Sequence, residues 1–455
     1  MSKYPSDTFC ILPWVHLQIE TTGDIQPCCN AISRADIDTN QVKTMNVNYD
    51  KIGDVWNSEF FKTLRKEMLT GIEPKICENC FHTEKLGNIS IRTDALYNDK
   101  YFNNIFENIS SQILKSKEAD GYTELKPVSV DIRLGNLCNL KCRMCNSASS
   151  SQINDENKIV GEEVAGPHPR TKYLDSRFTV QDDALFEWPT KKTFWEDFNK
   201  NTPDLNKIYF VGGEPTLQEE HYKLLKYLIA TDKAKNITLQ YNINCTNVQD
   251  RFIKLISEFK EVTVSLSIDG IGKLNNYIRH PSNWDSIEAN INRLIYETKP
   301  NVRLMITPTL QALNALNFID IFEWFIEKQT VLEKNPSIIS HLDGHESSKL
   351  LMFLNIAFVP DHASFYAIPV NVRAQYINNN KERIDQLLET SSHLAISKID
   401  GTSSSFKTNV QKYINFMRDT HEAGTDKFID YTKILDNHRN ESLFDVLPEY
   451  KQYFL

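Results

Sequence analysis

From residue 128 onward, short apolar runs alternate with longer amphipathic stretches. Several runs are almost entirely Val, Ile, Leu and Phe, which is typical of parallel strands buried on both faces. The predicted strands are Val128–Leu134, Lys207–Val211, Ile237–Ile243, Val262–Ile268, Val302–Thr307 and Met352–Val359. The predicted helices between them are Glu219–Ile229, Arg251–Phe259, Trp284–Glu297 and Leu316–Glu327. This alternation predicts an α/β fold with a parallel sheet.

Four segments are predicted along the chain. Residues 1–100 form a cysteine-rich domain with an amphipathic helix at Asn57–Leu69, and residues 101–127 link it to the α/β unit at 128–365. Residues 366–455 have a polar, helical pattern and form a C-terminal extension.

One connection within the α/β unit is unusually long. Residues 151–206 separate the loop after the first strand from the second strand. Loops longer than about 15 residues usually carry function or structure of their own. The sequence predicts a helix near Phe194–Phe198 and leaves open whether this insertion is a substrate lid or a tolerated surface feature.

The composition is that of a folded protein. Of 455 residues, 40% are apolar, 11% aromatic and 24% charged, which excludes wholesale disorder, a collagen-like chain and a coiled coil. The net charge of −9 argues against nucleic acid or an anionic membrane as a partner. The longest apolar run, Leu350–Val359, is half as long as a membrane span, and the start lacks a secretory signal. We therefore expect a cytoplasmic protein without a membrane partner.

The nine cysteines change this picture most. They stand at positions 10, 28, 29, 77, 80, 138, 142, 145 and 245. Because the cytosol is reducing, a disulfide framework is not expected. An odd count in tight clusters indicates metal ligation instead.

Three of the cysteines, Cys138, Cys142 and Cys145, follow the first predicted strand at C-x3-C-x2-C spacing. Three thiolates suit a 4Fe-4S cluster, in which they leave one iron without a protein ligand. An open coordination position is what a catalytic metal site requires. The alternatives are buried free thiols or a zinc site, although the nearest histidine, His168, is 23 residues away.

The triplet resembles the C-x3-C-x-Φ-C motif of the radical S-adenosylmethionine (SAM) superfamily. Met144 stands at the Φ position and offers a soft apolar surface to adenine. The resemblance implies a partial (β/α)6 barrel, similar to a TIM barrel, with the cluster and SAM at the carboxyl ends of the strands.

Two further motifs resemble SAM-binding motifs of that superfamily. Gly212-Gly213-Glu214 ends the second strand, where glycines permit close backbone approach and Glu214 is expected to accept hydrogen bonds from the SAM ammonium group. Ser267 and Asp269 end the fourth strand and are expected to contact the ribose and carboxylate of SAM.

Weaker expectations concern the other strand ends. Asn244 lies in a segment similar to the superfamily's Asn-Gly-Thr, with Cys245 in place of the glycine. Thr307 is expected to face SAM, and the backbone at Val359 to bind adenine. Arg279 is expected to be a surface residue, with an ion pair to a carboxylate of SAM or substrate as the alternative.

The amino-terminal cysteines have a spacing of their own. Cys10, Gly23 and Cys28, followed by Cys77 and Cys80, resemble the auxiliary-cluster domains called SPASM and Twitch. The resemblance implies a second 4Fe-4S cluster, held by four thiolates.

Two points remain open for this second cluster. The cysteine count favours the shorter Twitch type, and the domain precedes the barrel instead of following it. Cys29 or His82 is an alternative ligand, and a zinc site with four thiolates is the alternative metal centre.

The resemblance implies an enzyme that cleaves SAM to methionine and a 5′-deoxyadenosyl radical, which takes hydrogen from a substrate C–H bond. A flavodoxin- or ferredoxin-like protein is the expected electron donor. Relatives with auxiliary clusters lead us to expect oxidation or cross-linking of a peptide or protein side chain. The alternatives are a carbohydrate- or nucleotide-like small molecule as substrate and, in another class, a non-catalytic iron–sulfur or zinc scaffold.

Overall fold

The structure, a computed structural model, describes residues 3–32, 45–164, 178–335, 337–342, 345–393 and 406–451. His168 lies outside these residues. In the described part of the chain, no helix combines the length and the apolar character needed to cross a membrane.

The chain divides into two compact units. The first consists of Met1–Asn136 with Asp182–Gly213, and the second of Leu137–Gln181 with Glu214–Leu455. The long insertion therefore contributes residues to both units. The four-segment division of the sequence stays a prediction.

Four strands of the first unit pair in the order β2-β1-β3-β4. Their bounds are β1 (His16–Ile19), β2 (Ile25–Gln26), β3 (Ser129–Arg133) and β4 (Lys207–Val211). β3 is parallel to both β1 and β4, with Ser129 opposite His16 and Lys207, while β2 runs antiparallel to β1. The sequence pattern predicts β3 and β4 but misses β1 and β2, because such short strands carry too little alternation.

A glycine shapes the turn between β1 and β2. Gly23 has φ +90°, and a Cβ added there would lie 2.8 Å from Oδ1 of Asn46. Any other residue at this position would strain the backbone and displace the Asn46 side chain.

Several helices of the first unit pack around an aromatic core that includes Phe9 and Trp14. Their bounds are α1 (Leu12–Val15), α2 (Ile52–Trp56), α3 (Glu59–Thr70), α4 (Glu78–Lys85), α5 (Ile91–Tyr97), α6 (Lys100–Glu118) and α8 (Lys192–Asn201). α3 confirms the predicted amphipathic helix, since Leu64 and Met68 are buried on one face, and it ends at Gly71, which has φ +83°.

Four parallel strands of the second unit pair in the order β5-β6-β7-β11. Two further pairs lie in the same unit: β8 is parallel to β12, and β9 and β10 form an antiparallel hairpin. The bounds are β5 (Thr238–Ile243), β6 (Glu261–Leu266), β7 (Val302–Ile306), β8 (Thr309–Leu310), β9 (Ile339–Leu342), β10 (His345–Ser348), β11 (Leu350–Met352) and β12 (Asn355–Ile356).

The sixth predicted strand, Met352–Val359, has the wrong bounds. Pairing with β7 places β11 earlier, with Leu350 opposite Leu304. The chain then leaves β7, and β12 pairs with β8 instead. The apolar run extends through both short strands, so its composition could not locate the break.

Helices precede, separate and follow these strands. Their bounds are α7 (Ser151–Val164), α9 (Glu219–Ala230), α10 (Asp250–Ile256), α11 (Lys273–Ile278), α12 (Trp284–Glu297), α13 (Phe318–Glu333), α14 (Val370–Asn379), α15 (Lys381–His393), α16 (Phe406–Met417), α17 (Thr425–Arg439) and α18 (Leu443–Val446). Helices α14 to α18 confirm the predicted helical C-terminal part. The mostly parallel strands with intervening helices confirm the α/β fold class.

Candidate functional site

The three cysteines of the triplet lie on one structured loop. The amide of Cys145 donates to the carbonyl of Cys142 (3.0 Å), which makes a tight turn. The amide of Cys138 donates to Oγ of Ser151 at the start of α7 (3.3 Å). The loop is therefore held at both ends of the triplet by local hydrogen bonds.

The three thiols form one electrostatic group. Burial raises the pKa of Cys138 to about 12, and the neighbouring Cys142 and Cys145 add to the rise. Burial also raises the pKa of Cys142, to about 11, while the nearby Arg279 guanidinium opposes the rise. Without a metal these two thiols are neutral at pH 7, so iron ligation would release their protons.

Arg279 lies mostly out of solvent beside the triplet, and the expectation of a surface arginine is wrong. Its Nη1 lies 3.8 Å from Sγ of Cys142. Its Nη2 forms an ion pair with Oδ2 of Asp269 at 2.6 Å, and the two side chains are 12% and 0% exposed. The Asp269 carboxylate holds the pKa of Arg279 above its ordinary value although burial lowers it.

Asp269 has a second role within the chain. Its Oδ1 accepts a hydrogen bond from the Thr309 amide (2.8 Å), and its carbonyl accepts one from Nδ2 of Asn314 (2.9 Å). The carboxylate thus joins the end of β6 to β8 as well as holding Arg279. That Asp269 also contacts SAM stays a prediction.

Glu214 is also committed to contacts within the chain. Its Oε1 accepts hydrogen bonds from the amide (3.1 Å) and hydroxyl (2.7 Å) of Thr216, and its Oε2 accepts one from the Asn244 amide (2.7 Å). Burial raises the pKa of this carboxyl, and these hydrogen bonds oppose the rise. Glu214 therefore connects the loops that follow β4 and β5.

Asn244 extends this connection to the triplet. Its Nδ2 donates to Oδ1 of Asn139 (3.0 Å) and lies 4.0 Å from Sγ of Cys138. The following Cys245 is buried and has φ +62°, a backbone conformation that glycine adopts most easily. This conformation explains why the similar segment of the superfamily has glycine there.

The two glycines before Glu214 lie in the first unit, where they approach the end of β3. Gly212 has φ +107°, and a Cβ added to it would lie 3.1 Å from Cβ of Arg133. The Gly213 amide donates to the carbonyl of Gly135 (3.2 Å). Gly212 thus suits glycine, because its φ is positive and a side chain there would press against Arg133 and the Gly135 carbonyl.

Two of the other residues predicted to contact SAM take part in strand pairing. The amides of Ser267 and Thr307 donate to the carbonyls of Ile243 and Leu266, respectively, and so extend the strand pairing. Met144 is half-buried, and Val359 is 78% exposed.

The C-terminal part of the chain holds the triplet loop, which the sequence did not reveal. Arg143 is 1% exposed and forms ion pairs with Asp436 (2.6 Å) and Glu441 (2.8 Å). Its guanidinium lies over the Tyr277 ring, 3.7 Å from the centroid. The Tyr431 hydroxyl donates to the Arg143 carbonyl (2.7 Å). Residues of α17, together with Glu441 just beyond its end, thus fix Arg143, the residue that follows Cys142.

A second buried ion pair links the same helix to α7. Glu156 and Arg439 are 3% and 1% exposed and lie 2.7 Å apart. Lys141 of the triplet loop also reaches Glu156, at 3.1 Å. No motif in the sequence signals the pair of Glu156 and Arg439, because the two residues are 283 positions apart.

The amino-terminal cysteines line a cavity in the first unit. Its lining includes Cys10, Cys28, Cys77, Cys80 and Arg92. The cavity is open to solvent on one side, and its volume, with the space at that opening included, is about 330 Å³. Burial raises the pKa of Cys10 to about 12. Burial and the neighbouring thiols of Cys10, Cys28 and Cys80 also raise the pKa of Cys77 well above its ordinary value.

Arg92 is the cation of this cavity. Its Nη1 donates to the carbonyls of Asp7 and Phe9 (2.9 Å each), and its other nitrogens bind the Glu84 carboxylate. The guanidinium opposes the rise in pKa at Cys10 and Cys77. It therefore favours the thiolate forms that metal ligation requires.

The two alternative ligands lie elsewhere. Cys29 is exposed and does not line the cavity. His82 is exposed and does not line the cavity. Cys28 therefore completes the set of four thiols.

Serine substitutions at the adjacent cysteines test this assignment. After anaerobic reconstitution, Cys28→Ser is expected to lose about four iron atoms per chain, the content of one 4Fe-4S cluster, whereas Cys29→Ser keeps them. Iron and acid-labile sulfide are measured on both variants. Loss of iron from Cys29→Ser alone would reverse the assignment.

Both sets of thiols fit iron–sulfur clusters. Thiolates are the usual ligands of these clusters, and each set shares one loop or one cavity. The set of three leaves a coordination position open, and the set of four is complete.

Family models match the two parts of the chain that hold these cysteines. The family model of the radical SAM superfamily matches residues 132–311. The model of SPASM, an iron-sulfur cluster-binding domain, matches residues 10–81 and so precedes it. These matches confirm the domain order expected from the sequence. They imply a 4Fe-4S cluster, SAM and auxiliary iron–sulfur ligation.

Similar solved structures were also found, whereas no curated protein matches the chain. Native anSMEcpe with bound AdoMet is 16% identical, with a TM-score of 0.32 over 58% of this chain and 62% of that chain. Streptococcus suis SuiB is 17% identical, with a TM-score of 0.30 over 59% and 53%. SuiB bound to precursor peptide SuiA is 14% identical, with a TM-score of 0.33 over 63% and 64%. The match thus covers less than two thirds of each of these chains.

Proposed function

We propose that this chain, which carries a SPASM domain followed by a radical SAM domain, cleaves SAM reductively and abstracts a hydrogen atom from a C–H bond of its substrate. The observation that carries the proposal is the triplet of Cys138, Cys142 and Cys145 on one loop. Three thiolates leave one iron of a 4Fe-4S cluster open, which suits a cluster that binds SAM.

The residues around the triplet would serve the bound cofactors in distinct ways. A 4Fe-4S cluster with SAM would supply one electron to the sulfonium, so that the C5′–S bond breaks to give methionine and the 5′-deoxyadenosyl radical. Glu214 and Asn244 hold the loops after β4 and β5 against the triplet loop through their hydrogen bonds. Met144 and the backbone of Gly212 and Gly213 are proposed to contact SAM.

The four thiols of Cys10, Cys28, Cys77 and Cys80 are proposed to hold one auxiliary 4Fe-4S cluster. Four protein ligands leave it no open position, so we propose that it carries electrons and does not ligate substrate. A low-potential flavodoxin- or ferredoxin-like protein is proposed as the electron donor.

The substrate is proposed to be a peptide or protein side chain that becomes oxidised or cross-linked. The resemblance to auxiliary-cluster enzymes supports this class, because members of that group modify peptides. A carbohydrate- or nucleotide-like small molecule is the second candidate, since other members act on such molecules.

The test is an anaerobic reconstitution with iron and sulfide. We expect about eight iron atoms per chain, four for each cluster, and formation of 5′-deoxyadenosine after addition of dithionite and SAM. About four iron atoms with 5′-deoxyadenosine would limit the chain to one cluster. Bound zinc without cleavage of SAM would refute the enzyme and favour a scaffold.

A further inference from the structure

The loop of the triplet and the end of α11 lie side by side in the second unit. The amide of Arg143 donates to the carbonyl of Ile278 (2.8 Å), and the amide of Lys141 donates to the carbonyl of His280 (2.5 Å). In each of the two segments, one residue lies between the two that form these hydrogen bonds. Cys142 lies between the two donors, and Arg279 lies between the two acceptors.

This backbone register brings the Arg279 guanidinium to the Cys142 thiol. Nη1 of Arg279 lies 3.8 Å from Sγ of Cys142, within the range of a hydrogen bond to sulfur. The thiol is 8% exposed, so water screens the interaction little. Among the charged groups that act on Cys142, Arg279 has the largest effect.

The Asp269 carboxylate fixes and partly balances this charge. It binds Nη2 of Arg279 at 2.6 Å and accepts the Thr309 amide on its other oxygen. A second cation that acts on Cys142 is Arg439, whose charge is balanced by Glu156 at 2.7 Å. Of these two arginines, Arg279 has the larger effect and lies within hydrogen-bond distance of the sulfur.

We infer that Arg279 is a positioning residue that donates a hydrogen bond to the Cys142 thiolate and raises the reduction potential of the cluster, while Asp269 sets the size of this effect. This inference rests on the proposed function, because it requires an iron–sulfur cluster on the triplet. Reduction adds one electron and one negative charge to the cluster. A cationic donor at a ligating sulfur stabilises the reduced form more than the oxidised form.

Because Arg279 and Asp269 carry opposite charges, substitutions of the two residues are expected to shift the reduction potential of the triplet cluster in opposite directions. Arg279→Met removes the donor and its charge, so the cluster becomes harder to reduce. Asp269→Asn keeps the arginine but removes the balancing charge, so the cluster becomes easier to reduce. A residue that only supports the fold would not produce shifts of opposite sign.

The experiment is an anaerobic redox titration of the reconstituted full-length protein without SAM, followed by electron paramagnetic resonance. In Arg279→Met the ratio of reduced to oxidised triplet cluster at a fixed potential is expected to fall about tenfold, equivalent to about 59 mV for a one-electron couple. In Asp269→Asn the ratio is expected to rise. The signal of the auxiliary cluster serves as an internal reference, and Arg293→Met, at a half-buried arginine that pairs with exposed carboxylates, is the matched control.

Three results would overturn the inference. They are an unchanged ratio in Arg279→Met, shifts of the same sign in both variants, and an equal shift in the Arg293→Met control. If Arg279→Met does not bind iron, Arg279→Lys, which keeps the charge, is titrated in its place. Arg279→Lys is expected to change the ratio of reduced to oxidised cluster in the same direction as Arg279→Met, but by less. Iron content and 5′-deoxyadenosine formation of the unaltered protein are measured in parallel. A failure of the proposed function would appear there, independently of the variants.

Discussion

Serine at any position of the triplet is expected to abolish SAM cleavage. Cys138→Ser, Cys142→Ser and Cys145→Ser each remove one of three cluster ligands, and the cluster has no fourth protein ligand to compensate. We expect the rate of 5′-deoxyadenosine formation to fall at least about 1,000-fold, which corresponds to a loss of about 4 kcal/mol of transition-state stabilisation. Each variant is also expected to bind about four fewer iron atoms per chain.

The auxiliary set provides the contrast for this experiment. Cys77→Ser should also bind about four fewer iron atoms, but it leaves the triplet intact and should still form 5′-deoxyadenosine from SAM. Cys29→Ser, at an exposed cysteine that does not line the cavity, is the control for the substitution itself. If triplet variants retained SAM cleavage, the triplet would not be the site of the reaction.

Alanine at Arg143 is expected to cause a large loss of stability. The substitution leaves the carboxylates of Asp436 and Glu441 without their buried partner and removes the cation over Tyr277. Removing one partner of a buried ion pair lowers the free energy of unfolding by about 3–5 kcal/mol. We expect the free energy of unfolding, measured by denaturant titration of the second unit's transition, to fall by this amount.

A surface arginine is the matched control for Arg143→Ala. Arg293 forms ion pairs with Asp250 and Glu297, whose side chains are 74% and 46% exposed. Exposed pairs contribute about 0–1 kcal/mol, so Arg293→Ala should change stability little. Equal losses in the two variants would show that the contacts of α17 with the triplet loop do not stabilise the second unit.

The fold class and the triplet follow from local sequence patterns. β4 and α12 have the bounds that their sequence patterns predict, because an apolar strand and an amphipathic helix each keep their pattern over their whole length. The spacing of Cys138, Cys142 and Cys145 is also local, and a short loop brings its own thiols together. These features need no partner from a distant part of the chain.

The resemblance to the SPASM domain identified a set of cysteines but not every ligand. Cys28 and Cys29 are adjacent, and their spacing to the other cysteines fits the motif almost equally well. The direction of each side chain decides between them, and that direction depends on packing in the first unit. Only the cavity shared by Cys10, Cys28, Cys77 and Cys80 made the distinction.

The sequence by itself determined the α/β architecture and the cysteine triplet, because each depends on residues close together in the chain. The tertiary structure decided the surroundings of the triplet. Arg279 reaches Cys142 across 137 positions of sequence, and Asp436 reaches Arg143 across 293. Such ion pairs have no periodicity or fixed spacing. Their charges come together only when α11 and α17 pack against the triplet loop.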